Sequence, residues 1–218
     1  MRIGILGAGG MADALGTRWR QAGHEVVAGS RSRGGLREAA AFGTDAVLLA
    51  VPYAVAVDVV AGLGAVLRGR VLIDCTNPVG PGFALLTAGG PAAAERVAAA
   101  APAARVVKAF NLCHEDVWRL TPPVFAGRPL AVPLCGDDAA ALAVVRGLVR
   151  DLGCTPLDAG GLDRAGLLEA TAALLIGLWL GEGADAQAIA PPLAFAGRRD
   201  RPRQSGPDAI PPRSGGAL

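Results

Sequence analysis

Seven short apolar runs punctuate the chain: Arg2–Leu6, Glu25–Ala28, Ala46–Val51, Arg70–Asp74, Ala104–Ala109, Leu130–Cys135 and Thr155–Leu157. Their length and their Val, Ile and Leu content fit strands buried on both faces, where no polar alternation is needed. Between them lie Ala-rich stretches with helical spacing: Gly9–Gln21, Leu36–Phe42, Ala54–Leu67, Pro91–Ala100 and Asp137–Leu152. The acidic pair in "CGDDAAALAV" starts the last of these, with Asp137 or Asp138 as its cap. Strands alternating with helices predict an α/β fold, a doubly wound and mostly parallel sheet with Arg2–Leu6 central and helices on both faces. A final helix, Leu162–Leu180, falls outside the alternation and is read as an accessory.

The first run, "RIGIL", leads into "GAGGMADALGTRW". Gly7, Gly9 and Ala12 match the G-x-G-x-x-G/A fingerprint, here placed between a strand and a helix start. Gly7 allows the tight turn, Gly9 lets backbone approach a pyrophosphate, and Ala12 keeps the helix close to the sheet. With Ala8, Gly10 and Met11 they form the candidate phosphate-binding turn, where helix N–H groups and the positive dipole end face an anion. The sheet is therefore read as a Rossmann dinucleotide-binding domain over residues 1–160. A C-terminal helix and closing segment covers 161–199. Residues 200–218 form a tail whose Pro, Gly, Ser and Arg cannot bury enough apolar surface to offset their ordering, and disorder is expected there.

The second strand ends in "AGSRSR". A carboxylate at this corner would accept bonds from both adenosine ribose hydroxyls and repel a 2′-phosphate. Ser30 and Arg31 do the reverse, offering a hydroxyl and a guanidinium suited to bidentate phosphate contact, and Arg33 can reinforce them. The corner selects NADP(H). Three later strand ends point at the same rim: Val51–Pro52–Tyr53, Thr76–Asn77–Pro78 and Lys108–Ala109–Phe110–Asn111. Val51, Pro52, Thr76, Asn77, Pro78, Lys108 and Ala109 are candidate cofactor-lining residues, since ligands of open α/β sheets sit outside the strands' carboxyl ends. Lys108 is the single lysine among 21 basic residues, which suggests a place where a compact ammonium fits and a guanidinium does not. Lys108, Tyr53 and His114 are the candidate proton donors.

Composition narrows the function classes. The 218 residues are 52% apolar and 18% charged, with a formal net charge of +2. From Arg198 onward five arginines face two aspartates, a surplus of three that leaves the remainder at −1. No basic stripe for nucleic acid exists. Cys75, Cys113, Cys135 and Cys154 are widely spaced and only two histidines are present, so no metal constellation is expected and a reducing cytoplasm fits. "LLEATAALLIGLWLG" is short for a membrane span and carries Glu169, so a buried or interface helix is expected. Its apolar character all round predicts a homodimer through this helix.

The stretches "IGILGAGGMADALGTRWRQAGHEVVAGSR", "AVLLAVP", "VLIDCTNP", "RVVKAFN" and "DLGCTPLDAGGL…LLE" occur in the order found in the deazaflavin-dependent NADP oxidoreductases, which the chain resembles over about residues 1–180. "PPLAFAGRR" echoes that family's closing segment. The resemblance implies hydride transfer between NADPH and the deazaflavin coenzyme F-420, with stacked flat rings and no obligatory acid–base residue. It places Gly7, Gly9 and Ala12 at the pyrophosphate, Ser30 and Arg31 at the 2′-phosphate, and Val51, Pro52, Asn77 and Ala109 around the nicotinamide. Three departures stand out: Gly10 where the family often has Asn or Asp, Gly166 where relatives carry Arg, and "CHEDVW" after Leu112. Two further readings remain open, reduction of a small imine or carbonyl compound and an NADP(H)-binding redox sensor without turnover.

Overall fold

The computed structural model describes residues 1–32 and 34–189. Nine strands and seven α-helices follow one another as β1 (Arg2–Leu6), α1 (Gly10–Gln21), β2 (Glu25–Gly29), α2 (Leu36–Phe42), β3 (Ala46–Leu49), α3 (Tyr53–Leu67), β4 (Val71–Asp74), α4 (Ala93–Ala100), β5 (Arg105–Lys108), α5 (Glu115–Arg119), β6 (Val124–Phe125), β7 (Arg128–Pro129), β8 (Ala131–Gly136), α6 (Ala139–Asp151), β9 (Thr155–Asp158) and α7 (Ala165–Ile176). Met1–Ala184 form one compact unit. Of the second unit, from Asp185, the described part is a 3-10 turn over Ala186–Ile189, where Asp185 Oδ1 accepts from the Gln187 N–H. The tail over 200–218 and the "PPLAFAGRR" segment lie outside the described residues.

The main sheet has seven strands in the order β2-β1-β3-β4-β5-β8-β9, and β6 pairs with β7 in a separate hairpin. From β2 to β5 every pairing is parallel. The α/β class and the mostly parallel, doubly wound Rossmann sheet expected from the alternation are borne out. The position of β1 needs correction. It lies second from the edge, with β2 on one side and β3 on the other, and the middle strand is β4. The chain leaves β1 in one direction and returns on its other side, so the switch point falls between β1 and β3.

Two apolar layers cover the sheet. On one face Ile3, Ile5, Leu48, Ile73 and Val107 pack against Leu15 and Trp19 of α1, Trp118 of α5 and Val145 and Leu148 of α6. On the other, Leu6, Val47, Leu49, Leu72 and Val106 meet Ala39 of α2, Val60 and Leu63 of α3, Val97 of α4 and Leu168 of α7. Near-total burial of both sets explains why β1, β3 and β4 read as unbroken apolar runs.

The turn of direction at β8 was not legible in the periodicity. Val107 pairs with Gly136 and Lys108 with Cys135 in antiparallel register, while β8 and β9 are parallel. A parallel partner requires a crossover over a sheet face. The segment after β5 makes none: α5 packs beside α1, the β6–β7 hairpin follows, and the chain enters β8 reversed.

Beyond α7 the helix continues as a π-helical turn over Gly177–Gly181, giving 20 helical residues from Leu162 to Gly181. Length and apolar composition alone would let that stretch span a membrane, which corrects the reading of it as too short. What fixes it here is packing. Ala165, Leu168, Glu169 and Ala172 are buried against the Rossmann unit, and Glu169 is the helix's anchor.

Candidate functional site

The glycine turn lies at the mouth of the β1–β3 crevice. Gly7 has φ 142°, and a Cβ there would stand 2.0 Å from the Ala50 carbonyl oxygen at the end of β3. Its N–H donates to Gly29 O at 2.8 Å, tying the ends of β1 and β2, and the Ala50 N–H donates to Leu6 O at 2.9 Å, tying in the end of β3. Gly9 is the cap of α1, and nothing lies within 4 Å of where its Cβ would point. Asp13 N–H donates to Gly9 O at 3.0 Å, so the N–H groups of Gly10, Met11 and Ala12 precede the helix's own ladder. The result is an open backbone cradle with donors facing outward. Ala12 is buried against the sheet, while Ala8 is exposed and Met11 half-buried at the rim.

Gly10 explains two of the sequence departures at once. A Cβ there would overlap Glu115, whose Oε1 would lie 2.0 Å away. Glu115 belongs to "CHEDVW", which forms α5, and Arg119 on the same helix pairs with Asp13 of α1 at 2.7 Å. The missing side chain at 10 and the added carboxylate at 115 are complementary shapes.

After β2 the chain folds back on itself. Ser30 pairs with Gly34 across an isolated antiparallel bridge, with Ser30 N–H donating to Gly34 O at 3.0 Å. Ser30 is buried, and its Oγ lies 3.3 Å from Ser32 Oγ. Arg31 is exposed at the tip of this loop. Arg33 lies outside the described residues.

The remaining candidates gather at the ends of β3, β4 and β5. Val51 and Pro52 bridge β3 to α3, and Pro52 caps a helix whose first residue is Tyr53. Thr76, Asn77 and Pro78 follow β4, and Ala109 follows β5 with its N–H donating to Asp74 O at 3.1 Å. Phe110 takes φ 64°, the left-handed region that a bulky residue rarely adopts. Its ring is wedged between Trp19 and Trp118, with centroid distances of 5.7 and 5.4 Å, and this packing holds the turn. Asn77 Nδ2 donates to Asn111 O at 2.7 Å, and Asn111 Nδ2 donates to Asn77 Oδ1 at 3.0 Å and to Leu168 O of α7 at 3.2 Å.

Lys108 is enclosed rather than presented to the rim. It is 0% exposed, and its ammonium donates to Asp74 Oδ2 at 3.0 Å and Thr76 O at 2.5 Å and pairs with Glu169 Oε1 at 3.1 Å. Burial alone would lower its pKa, but the charges of Asp74 and Glu169 outweigh that and hold it above its ordinary value. All three donors are used internally, so Lys108 is set aside both as a proton donor and as a direct cofactor contact. His114 caps α5 and is 67% exposed beside Asp116, with which it pairs at 3.3 Å. Cys75 is pushed up to about 12 by burial and, next, by the Asp74 charge, and Cys113 to about 11 by burial. Neither thiol is a nucleophile near neutral pH.

Reading the sequence did not single out Asp74, Asn111, Glu115 or Glu169 as site residues. Asp74 and Glu169 did carry a signal: each is a lone charge inside an apolar segment, as Lys108 is, and the three meet. Asn111 stood on the rim-facing strand end Lys108–Asn111 and Glu115 in the divergent "CHEDVW", but their roles were not legible, because their partners lie on other elements.

The strand order, the glycine turn and the crevice outside β1 and β3 define a dinucleotide-binding α/β domain of the Rossmann type. Residues 2–43, from β1 to the end of α2, match the family described as NADP oxidoreductase, coenzyme F420-dependent. The chain is 30% identical over 141 residues to the F420-dependent NADP reductase of Methanocaldococcus jannaschii, covering 62% of this chain and 61% of that protein. It is 32% identical over 190 residues to the metalloreductase STEAP3 of Rattus norvegicus, covering 82% of this chain and 38% of that one. The chain thus spans less than two thirds of either relative. Among solved structures, a protein from Arthrobacter sp. FB24 assigned as an F420-dependent NADP-reductase superposes with a TM-score of 0.76 at 25% identity, covering 84% of this chain and 96% of that one. The resemblance carried by the sequence motifs is borne out, and the enzyme class expected from them, NADP-dependent oxidoreductase, is that of the Methanocaldococcus and Arthrobacter proteins.

Proposed function

We propose that the chain binds NADP(H) across the β1–β3 crevice and transfers a hydride between NADPH and a flat redox acceptor of the deazaflavin type, coenzyme F420. The observation that carries the cofactor choice is the corner after β2, where Ser30 and Arg31 stand in place of a carboxylate. The fit of the dinucleotide rests on two features of the chain. Open space beside Gly9 and the outward N–H groups of α1 suit a pyrophosphate. At the other end, Thr76 Oγ1 and Asn111 Oδ1 are buried without hydrogen-bond partners among the described residues, and such groups suit a carboxamide.

When bound, the nicotinamide supplies the hydride, so the protein's own task is positioning. Gly7, Gly9, Gly10, Met11 and Ala12 hold the pyrophosphate, and Ser30 and Arg31 the 2′-phosphate. Val51, Pro52, Thr76, Asn77, Pro78 and Ala109 border the ring. Lys108 is enclosed and committed to Asp74, Thr76 and Glu169, which favours hydride transfer without it as a protein acid. An apolar groove of about 310 Å³ between Phe83 and the α7 end, lined by Ala173, Leu174, Gly177 and Leu178 with Glu182, has the size and character to take a flat ring. Leu174 of its wall and Leu167, two turns earlier on α7, are both exposed, and we assign this helix face to a homodimer contact.

The test is an acceptor screen with NADPH, including deazaflavin, flavin, quinone, imine and ferric chelate. Oxidation of NADPH with the deazaflavin well above the others supports the reading. Reduction of the imine alone, or of none, rejects it.

A further inference from the structure

We propose that Lys108 is a positioning residue, and that its buried ion network with Asp74 and Glu169 makes recognition of the cofactor's nicotinamide half depend on the docking of α7. The inference rests on the NADP(H) reading above and adds what sets the geometry of that end of the site.

Asp74 and Lys108 end adjacent parallel strands and are register partners. Their side chains therefore leave the sheet on the same face and meet. Around them the Thr76 backbone is held at both polar groups by side chains: its N–H donates to Asp74 Oδ1 at 2.9 Å, and its carbonyl accepts from Lys108. Glu169, one turn into α7, accepts from the N–H groups of Ala93 and Ala94 at 2.8 and 3.1 Å as well as pairing with Lys108. Those two N–H groups open α4, where an anion is favoured. One ammonium thus joins β4, β5, α4 and α7. The Asn77–Asn111 amide pair, bonded to Leu168 O, repeats the same connection one step outward.

Two carboxylates and one ammonium, all 0% exposed, are an expensive way to hold a helix. Apolar replacements of similar volume commonly hold such a junction as well or better. The network's distinctive effect is directional. Three donors diverge from one nitrogen to Asp74, Glu169 and a backbone carbonyl, which a planar guanidinium cannot reproduce. What they orient is the turn that carries Thr76 and Asn77. The Thr76 hydroxyl is buried with no partner among the described residues, so its direction is set through its backbone.

The experiment compares two ligands on three proteins. Adenosine 2′,5′-bisphosphate reports the adenosine end, Ser30–Arg31 with the glycine turn, and NADPH reports both ends. Glu169→Gln leaves Lys108 and Asp74 as a balanced pair, so no uncompensated charge is buried. We expect its affinity for the bisphosphate within about twofold of the parent and its affinity for NADPH lower by about tenfold or more. The Thr76 and Asn77 amides should exchange faster, while those of β1 keep their protection. Thr76→Val keeps the shape and removes a hydroxyl that bonds none of the described residues, so its melting temperature should not fall. It should show the same selective loss of NADPH, and it tests the idea even if the Glu169 variant fails to fold. Equal weakening of both ligands in Glu169→Gln, or unchanged NADPH affinity in Thr76→Val, overturns the inference. A parent chain that does not bind the bisphosphate rejects the NADP(H) reading itself, and this inference with it.

Discussion

Replacing Arg31 with alanine should separate the two nicotinamide cofactors. Arg31 is exposed at the tip of the loop closed by Ser30 and Gly34, and among the described residues no hydrogen bond or ion pair holds its guanidinium. The substitution should therefore change stability by no more than about 0.5 kcal/mol. Its effect on binding is the loss of one charged contact to the 2′-phosphate. Two unit charges about 4 Å apart interact by about 1 kcal/mol in bulk water and about 4 kcal/mol at an effective dielectric constant of about 20. A hydrogen-bonded pair at an exposed corner falls between, at about 1.5–2.5 kcal/mol, or about 10- to 70-fold in affinity. NADH has no 2′-phosphate and should lose less than about twofold. Titration calorimetry with each cofactor at fixed salt measures both numbers. Repeating it at low ionic strength should widen the gap, because screening weakens exposed charges. Equal losses for NADPH and NADH would show that Arg31 serves the loop and that no phosphate sits there.

Other perturbations test separate parts of the structure. Gly7→Ala should cost on the order of 3 kcal/mol and abolish dinucleotide binding, since its Cβ would stand 2.0 Å from Ala50 O at φ 142°; an unchanged melting temperature would contradict the tight turn. Leu174→Arg should leave the melting of the monomer unaltered but convert a sedimenting dimer to monomer, and a parent that sediments as monomer removes the dimer from the picture. Because the folded pKa of Lys108 is raised above 10.5, its contribution to stability should be complete below that pH and lost as pH climbs through the folded value; denaturant midpoints measured from pH 8 upward should fall only in the alkaline limb. With Cys75 pushed up to about 12 and Cys154 to about 11, native alkylation at pH 7.5 should be slow and should become complete on unfolding.

Much of the fold could be read from the chain because buried parallel strands leave unbroken apolar runs, and Arg2–Leu6 and Leu36–Phe42 have the boundaries their patterns indicate. The glycine turn was equally plain, since Gly7 and Gly9 answer to backbone geometry fixed within a few residues. The reversal of β8 left no trace in periodicity, because a strand's apolar run looks the same in either direction. The short α5 is five residues long and has too few apolar positions to show a period. At the site, the position of Ser30 and Arg31 at the end of β2 was legible, because the strand boundary itself fixes it. Lys108 was noticed for the right reason, its rarity, and given the wrong surroundings: only the register of β4 with β5 and the descent of α7 onto both reveal Asp74 and Glu169 as its partners.

That solitary lysine has a practical consequence. The 218 residues hold no other side-chain amine, and this one is sealed beneath α7. Amine-directed acylating reagents will find no lysine on the native surface. Any adduct at Lys108 must form while the helix is lifted from the sheet, so the rate of its appearance is a chemical clock for that opening. Slow, first-order modification that no longer depends on reagent concentration at high excess would give the opening rate directly, in unmodified protein and without an introduced probe. Cofactor present during the reaction would then report, through the same clock, how firmly an occupied crevice holds the helix down.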